Sequence, residues 1–371
     1  MEKIRVLLVD DSAVIRKVLG DLISADPDLE LVGTAANGKI ALEQLDLLKP
    51  DVVTLDIEMP EMDGLQTVKE IRKSGSRVPI IMCSSLTAAG ASHTLDALAF
   101  GASDYVTKPS SHGVNTREVV GEELIRKIKG LAAEAAGSKN APAALRPVPK
   151  LSTALSELSI PGRSSIALGM PDAIAIGVST GGPNALQEIL PKLPAMPRVP
   201  IFIVQHMPPL FTKLLADRLH AQCPFPVVEA VDGQEVKPGH VYLAPGGFHM
   251  EAKRVIGRTS IILHEGAPEN SCRPAVDVLF RSIAAVYGSK VLAIVLTGMG
   301  QDGLKGCHKI KDAGGCVIVQ DKESSAVWGM PGAVAEAGLA SAVLPLSRIC
   351  SELSIAVSPQ PQEHLPKEHR V

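Results

Sequence analysis

The chain has 371 residues, which at roughly 150 residues per domain is enough for two or three domains. Hydrophobic residues make up 46% and charged residues 21% of the chain, a composition that excludes disordered, collagen-like and disulfide-scaffold proteins. The 37 basic and 40 acidic residues give a net charge of -3, and no stretch approaches the roughly 18 apolar residues of a membrane span. We therefore expect neither nucleic-acid binding nor membrane insertion.

The cysteines and the first residues indicate the compartment. No two cysteines form a Cys-x-x-Cys pair, which is typical of reduced, mostly buried thiols rather than of metal ligands or disulfides. Residues 1–5 lead directly into a short apolar run, without the longer apolar region and cleavage site of a secretory signal. We expect a cytoplasmic protein that acts as a monomer. The cysteines are Cys83, Cys223, Cys272, Cys307, Cys316 and Cys350.

Composition divides the chain into two globular units, residues 1–130 and 169–357. Residues 131–168 are rich in alanine, serine and proline, and they contain too little apolar surface to offset the entropy lost on ordering. This segment is predicted to be a linker. Residues 358–371 carry three prolines and two histidines and are predicted to be a polar tail.

Both units alternate short apolar runs with segments of helical length and period. The alternation predicts an α/β fold of two doubly wound domains with mainly parallel sheets. The first unit is predicted as a (βα)5 domain with strands at 4–9, 29–33, 52–55, 79–83 and 104–106. The second is predicted as a Rossmann-like domain with strands at 173–178, 200–204, 241–243, 290–296 and 316–319. In such sheets functional side chains gather at the carboxyl ends of the strands.

Strands of the first unit run into carboxylates. Asp10 and Asp11 follow the first strand and Asp56 follows the third, so these groups meet if the two strands are neighbours. Carboxylates this close raise one another's pKa unless a cation lies among them, and Mg²⁺ prefers oxygen ligands of this kind. The fourth strand leads to Ser84, and the fifth leads to Lys108, whose ammonium suits an anion. The alternative reading is that the aspartates cap a helix and that Lys108 is a surface charge.

The residue types of a serine hydrolase follow strands of the second unit. Residues 177–181 spell the Gly-x-Ser-x-Gly turn that exposes a serine nucleophile, here Ser179. His206 follows the next strand, and Asp302 lies in a glycine-rich loop after the strand at 290–296. A serine needs a base to become nucleophilic, and the base needs a carboxylate that fixes its tautomer. The three residues therefore predict a catalytic triad.

Each of these residues alone also fits a structural role. Ser179 fits the N-cap of a helix or a phosphate-binding turn, and His206 fits a buried structural histidine. The order serine, histidine, aspartate also differs from the serine, acid, histidine order of α/β-hydrolases, so the turn does not indicate that fold. The glycines beside Met299 leave its backbone N–H free to point at an oxyanion.

Residues 1–130 resemble the receiver domain of two-component response regulators. The resemblance implies that Asp56 accepts a phosphoryl group from a histidine kinase and that the other residues of the cluster bind Mg²⁺ or transmit the switch. Phosphorylation adds about -1.5 to -2 charges and new acceptor oxygens, which is enough to move a hydroxyl and its loop. The segments that carry the resemblance are 9–12, 55–60, 62–64, 84–85 and 105–109. The implied Mg²⁺ ligands are Asp10, Asp11 and Asp56, and the implied switch residues are Ser84, Tyr105 and Lys108.

Residues 169–357 resemble the catalytic domain of chemotaxis protein-glutamate methylesterases (CheB). The resemblance implies no cofactor for the esterase site, and it implies the following roles. Ser179 is the nucleophile, His206 the base and then the acid, Asp302 the residue that orients it, Met299 the backbone oxyanion donor and Thr180 a supporting hydroxyl. The matching segments are 176–183, 205–207, 211–212, 242–246, 273–277 and 297–303.

The two resemblances together imply a phosphorylation-activated serine esterase. Its substrates are glutamate γ-methyl esters of methyl-accepting chemotaxis receptors, its phosphodonor is a chemotaxis histidine kinase, and it is also expected to deamidate receptor glutamines. Two other classes are weighed against it. A transcriptional response regulator requires a basic recognition helix, which the near-neutral charge disfavours. A nucleotide-binding module requires an acidic residue after the second strand, where this chain has Gln205 and His206.

Overall fold

The computed structural model describes residues 2–109, 117–139 and 170–358, and they form two α/β domains. The first domain has a parallel five-stranded sheet with the strand order β2-β1-β3-β4-β5. The strands are β1 Ile4–Val9, β2 Leu29–Ala35, β3 Val52–Asp56, β4 Ile80–Ser84 and β5 Asp104–Thr107. The helices are α1 Ala13–Ala25, α2 Gly38–Leu48, α3 Gly64–Lys73, α4 Ala88–Ala99 and α5 Arg117–Lys139.

Short polar side chains start four of these helices just after the strands. Each accepts a hydrogen bond from a backbone N–H three residues later, which satisfies one donor that the first helical turn leaves free. The caps are Ser12, Asn37, Asp63 and Thr87. Three of the loops that lead to these helices have two or three residues and the one after β3 has seven, and in a parallel sheet all of them lie at the same edge.

The second domain has a parallel seven-stranded sheet with the order β14-β13-β12-β6-β7-β9-β8 and an antiparallel hairpin, β10-β11. The strands are β6 Ala173–Val178, β7 Ile201–Gln205, β8 Val227–Glu229, β9 Val241–Leu243, β10 His249–Val255, β11 Arg258–His264, β12 Val291–Val295, β13 Cys316–Gln320 and β14 Ala342–Leu344. The helices are α6 Gly182–Ile189, α7 Phe211–Gln222, α8 Val276–Tyr287, α9 Leu304–Asp312, α10 Met330–Glu336 and α11 Leu346–Val357. The prediction of two mainly parallel α/β domains is confirmed.

The hairpin and the short strands β8 and β14 were not among the predicted strands. The two hairpin strands are joined by Ile256 and Gly257, both with positive φ (48° and 77°), as in the tight turns that match the twist of a hairpin. An isoleucine rarely adopts this conformation, so the sequence lacks the usual Asn-Gly signal for the turn. The strands β8 and β14 have only three residues each, too few for a recognisable alternation.

Helix α5 extends to Lys139, nine residues into the segment predicted as a linker. Its last turns bury Leu131 and Ala132 in an apolar cluster that also includes Val327 of the second domain. The helix thus continues because another part of the chain covers it, which composition does not reveal. Residues 140–169 and 359–371, the rest of the predicted linker and most of the predicted tail, lie outside the described residues, and the exact domain limits stay predictions.

The two domains pack against each other through β5, α4 and α5 of the first and α6 and α7 of the second. The rings of Tyr105 and Phe211 stack with their centroids 4.8 Å apart and an angle of 7° between their planes. The side chain of Arg218 donates to Asp96 over 2.8 Å, and that of Asn184 donates to the carbonyl of Leu98 over 2.9 Å. Among the described residues, no helix is both long and apolar enough to cross a membrane.

Candidate active site

The sheet of the second domain brings the three predicted triad residues to one edge. Strand β6 lies between β7 and β12, and each of the three strands is followed by one of these residues. Val178 pairs with Gln205, so Ser179 and His206 directly follow paired positions, and the His206 N–H donates to the Val178 carbonyl over 3.2 Å. Asp302 arrives from the other side of β6, in the loop after β12.

His206 and Asp302 form a hydrogen bond. The distance between His206 Nε2 and Asp302 Oδ2 is 2.8 Å, and Asp302 is only 2% exposed. Because an ionised carboxylate only accepts hydrogen bonds, the proton of a neutral imidazole lies on Nε2. Nδ1 then carries the lone pair, and it is the nitrogen that can accept a proton from a nucleophile.

The carboxylate of Asp302 accepts hydrogen bonds from five donors. The backbone N–H groups of Val276 and Asp277 at the start of α8 reach it over 2.6 and 3.0 Å, where the helix dipole favours negative charge. The other donors are His206 Nε2, Asn270 Nδ2 at 2.9 Å and the Gly303 N–H at 3.0 Å. This cage fixes the position of the carboxylate and favours its ionised form.

The pKa values of the pair follow from this arrangement. Burial raises the pKa of Asp302, but the hydrogen bond and charge of His206, with the N–H groups of Val276 and Asp277, outweigh burial and hold that pKa below its usual value. Burial lowers the pKa of His206, whereas Cys272 and Asp302 raise it, and the pKa lies above that of an ordinary histidine. The carboxylate of Asp302 and the protonated imidazole of His206 therefore stabilise each other.

Ser179 is half-buried and is held by its backbone. Its N–H donates to the carbonyl of Thr297 over 3.0 Å, and its carbonyl accepts from the side chain of Gln205 over 3.0 Å. A Cβ on Gly298 would come within 2.8 Å of the Ser179 Cβ, so the β12 loop approaches the serine as closely as glycine allows. Among the described residues, Ser179 Oγ forms no hydrogen bond, and the partners of the His206 ring are Asp302 and Cys272.

Met299 and Thr180 both lie where the receiver-like domain touches the site. The Met299 N–H donates to no acceptor within residues 2–109, 117–139 and 170–358, as the predicted oxyanion donor requires. Its side chain lies against helix α5, where a Cβ on Gly130 would come within 2.6 Å of the Met299 Cε. The hydroxyl of Thr180 donates to Asp104 of the first domain over 2.6 Å, in a buried contact. Thr180 therefore bonds across the domain interface rather than to the neighbouring serine.

Three residues at the site had no predicted role. Asn270 donates to Asp302, Gln205 holds the serine turn, and Cys272 Sγ lies 3.5 Å from His206 Nδ1. Gln205 ends strand β7, whereas Asn270 and Cys272 reach the site from the loop before α8, and loops carry no periodic signal. The positive φ of Asn270 (50°), a conformation that asparagine tolerates, is seen only in the structure, so the sequence carries no local signal for its role.

The first domain brings its predicted carboxylates together at the same edge of its sheet. One carboxylate oxygen from each of Asp10, Asp11 and Asp56 lies within 4.8 Å of the other two. Lys108 Nζ is 2.8 Å from Asp10 Oδ2 and 2.8 Å from Asp56 Oδ2, and both aspartates are buried. Burial raises the pKa of Asp56 to about 6, and the charge of Asp10 adds to this, although Lys108 opposes it.

The predicted switch residues occupy two different environments. Ser84 is fully buried, and its hydroxyl accepts a hydrogen bond from Thr94 over 2.8 Å. The ring of Tyr105 is 5% exposed and stacks on Phe211 across the domain interface. Burial raises the pKa of Tyr105 well above its usual value. Tyr105 thus links the strand that precedes Lys108 to the second domain.

Comparison with known proteins gives the family. Residues 174–353 match the CheB methylesterase family, and residues 6–117 match the response regulator receiver domain. A protein-glutamate methylesterase/protein-glutamine glutaminase of a Nocardioides species is 52% identical to this chain over 355 residues, which are 95% of each chain. A protein of the same name from Trichodesmium erythraeum is 47% identical over 358 residues, which are 95% of this chain and 99% of that one. The crystal structure of the Thermotoga maritima CheB methylesterase catalytic domain is 48% identical, covers 50% of this chain and 99% of that one, and has a TM-score of 0.49.

The two curated relatives match along almost the whole chain, and the two family models match the two halves in the same order. Identity of this extent cannot come from one shared domain alone. The chain therefore belongs to the family of protein-glutamate methylesterases/protein-glutamine glutaminases, hydrolases that carry a response regulator receiver domain.

Proposed function

We propose that this protein hydrolyses glutamate γ-methyl esters on chemoreceptors, giving glutamate and methanol, by a serine esterase mechanism that phosphorylation of the receiver domain activates. The observation that carries the proposal is the bond between His206 and the caged carboxylate of Asp302, beside Ser179 at the carboxyl end of β6. A lone structural histidine would need no such carboxylate, and a phosphate-binding turn would not place one there.

The reaction uses the lone pair on His206 Nδ1. Ser179 Oγ comes within reach of this nitrogen when substrate binds, loses its proton to it, and attacks the ester carbonyl. The negative charge that develops on the carbonyl oxygen is stabilised by the N–H of Met299, which has no acceptor in the described part of the chain. His206 then protonates the leaving methoxide, which departs as methanol and leaves an acyl group on the serine.

Water completes the cycle. His206 removes a proton from the water, the resulting hydroxide attacks the acyl-serine, and the proton returns to Ser179 Oγ as glutamate is released. Asp302 stays ionised throughout and stabilises the imidazolium formed in each half-reaction. The same acyl-enzyme arises from a glutamine side chain with ammonia as the leaving group, so we assign glutamine deamidation to the same site.

The receiver domain is proposed to be phosphorylated on Asp56 by a histidine kinase. Asp10, Asp11 and Asp56 fit Mg²⁺, because three carboxylate oxygens converge within 4.8 Å and Lys108 alone leaves an excess of negative charge. The ion supplies charge that neutralises the phosphoryl oxygens during transfer. Lys108 already bridges Asp10 and Asp56, so it is positioned to contact the phosphoryl group.

The unphosphorylated receiver is proposed to restrict access to the serine. Its α5 lies against Met299, its Asp104 binds Thr180, and Thr180 is the residue next to Ser179. A rearrangement of β4 and β5 on phosphorylation would act on Ser84 and Tyr105, and Tyr105 stacks directly on Phe211 of the catalytic domain. The alternative is a receiver that only tethers the enzyme to its kinase.

Release of methanol from methylated receptor tests both parts of the proposal. We expect a phosphodonor with Mg²⁺ to accelerate demethylation by the full-length protein and to have no effect on the Asp56→Ala variant, whose unstimulated rate should match that of the wild type. Equal stimulation of the two proteins would overturn the role of Asp56. An unstimulated but active wild-type enzyme would favour the tether, and the absence of methanol release under all conditions would overturn the esterase.

A further inference from the structure

Cys272 lies beside His206, the base of the proposed triad, and has no role in the proposed reaction. Its sulfur is 3.5 Å from His206 Nδ1, the nitrogen that the hydrogen bond to Asp302 leaves with a lone pair. One ligand atom from each of His206, Cys272 and Asp302 lies within 4.8 Å of the other two. This is the only such group of a histidine, a cysteine and a carboxylate within the described part of the chain.

The spacing of sulfur and nitrogen fits one metal ion between them. Zinc binds cysteine sulfur at about 2.3 Å and histidine nitrogen at about 2.0–2.1 Å, so two ligands at a tetrahedral angle lie roughly 3.5–3.6 Å apart. The observed distance from Sγ to Nδ1 is 3.5 Å. The two atoms therefore already stand at the separation that tetrahedral coordination requires, and no backbone movement is needed to bring them together.

The surroundings of the imidazole also fit. A histidine that binds zinc usually donates its other ring N–H to a carboxylate, which fixes the tautomer and makes the ligating nitrogen more basic. Here Nε2 donates to Asp302 over 2.8 Å, and Asp302 is in turn held by the N–H groups of Val276 and Asp277. A thiolate and an imidazole together select a borderline-soft ion such as Zn²⁺ over Mg²⁺ or Ca²⁺.

We propose that His206 Nδ1 and Cys272 Sγ bind one Zn²⁺ ion, with water in the remaining positions, and that this ion inhibits the esterase reversibly. The thiol loses its proton to solvent on binding, and the sulfur and nitrogen lone pairs form the two bonds to the ion. The lone pair that removes the serine proton is then no longer available. Binding does not depend on the proposed function, whereas inhibition rests on it.

The site revises one expectation from the sequence. The cysteines are separated along the chain and form no Cys-x-x-Cys pair, which predicted that none of them binds a metal. Cys272 and His206 are 66 residues apart and meet only because the loop before α8 folds over the end of β7. Spacing along the chain cannot reveal such a pair.

Titration of the full-length protein with Co²⁺, a spectroscopic substitute for Zn²⁺, tests binding without any enzyme assay. Excess Mg²⁺ is present to occupy the carboxylates of the receiver domain. We expect one equivalent of Co²⁺ to give a thiolate-to-metal absorption band that Zn²⁺ removes. The band should be absent from Cys272→Ala and from His206→Ala, and weaker at equal Co²⁺ in Asp302→Asn, because loss of an outer carboxylate typically costs 10–100-fold in affinity.

Cys316→Ala is the matched control. Cys316 has a similar exposure, but it begins β13 and so lies at the opposite edge of the sheet from the site. A band that persists in Cys272→Ala, that disappears in Cys316→Ala, or that never forms in the wild type would overturn the site. Circular dichroism of each variant shows whether it is folded.

Demethylation assays with phosphodonor present then test inhibition. Each protein is compared with its own rate in chelator, so that a change in basal activity caused by the substitution does not matter. We expect Cys272→Ala to need more than about 10-fold more Zn²⁺ than the wild type or Cys316→Ala for half inhibition, since it loses a direct ligand. Equal sensitivity of the three proteins would overturn inhibition through this site, even if Co²⁺ binds there.

Discussion

Replacement of Asp302 by asparagine tests the charge and the tautomer at the active site with almost no change in shape. The two carboxylate oxygens differ in their partners. Oδ2 accepts from His206 and Val276, and Oδ1 accepts from Asn270, Asp277 and Gly303. An amide can keep only one of these positions as an acceptor, and its oxygen should face the three donors while its NH₂ faces His206.

That orientation has two measurable consequences. The Val276 N–H loses its acceptor in a buried position, so the free energy of unfolding should fall by about 1–3 kcal/mol. Facing an NH₂ group, His206 must accept at Nε2 and therefore carry its proton on Nδ1, where it cannot take the serine proton. In a serine hydrolase the equivalent wrong tautomer lowers kcat by on the order of 10⁴, and we expect a loss of that size here.

The assay is methanol release from methylated receptor after phosphorylation, with chemical denaturation for stability. Asp277→Asn is the control, because Asp277 is also a buried carboxylate, bonded to Asn270 and to the Gly306 N–H, but it does not contact His206. We expect that variant to lose some stability and less than about 10-fold in rate, the equivalent of roughly 1.4 kcal/mol in the barrier. Similar rate losses in the two variants would refute the tautomer argument.

Three further predictions concern the nucleophile, the base and the domain interface. Ser179→Ala should remain folded and lose on the order of 10⁴–10⁶ in kcat for methanol release, whereas near-normal release would remove the serine from the mechanism. With phosphodonor and Mg²⁺ but no zinc, the acid limb of kcat/KM should lie above the usual histidine pKa of about 6.5, because Cys272 and Asp302 stabilise the protonated His206 and activity requires the neutral form; a limb at or below that pH would contradict this stabilisation. Arg218→Asp should raise the unphosphorylated rate by about 1.4–5-fold, since an ion pair near the surface, like this half-buried one, contributes about 0.2–1 kcal/mol, and adding Asp96→Arg should reverse this; an unchanged rate would argue against occlusion.

Most of the fold could be predicted because parallel strands buried on both faces are continuous apolar runs. The central strands β6, β7 and β12 each lie within a predicted strand or differ from it by one residue. The hairpin could not be predicted in the same way, since its turn uses Ile256, and the end of α5 could not, since its cover comes from the other domain. The first failure comes from a local turn without its usual residues, and the second from a contact that is not local in sequence.

The candidate site shows the same division. Ser179, His206 and Asp302 could be placed together because each follows a strand of one parallel sheet, and the register of those strands brings them to one edge. The contact between Thr180 and Asp104 could not be predicted, because it joins residues 76 positions apart in two domains. Cys272 could not be assigned either, because nothing in its neighbours along the chain marks the approach to His206.

The most direct test of the central claim, that His206 activates Ser179 as a nucleophile, is the position of the adduct formed with a fluorophosphonate probe. The full-length protein is treated with phosphodonor and Mg²⁺, reacted with the probe, digested and analysed by mass spectrometry, beside His206→Ala. The account predicts a single adduct on Ser179 that is absent from His206→Ala. An active wild-type enzyme with the adduct on another residue, or an equally labelled His206→Ala variant, would contradict it.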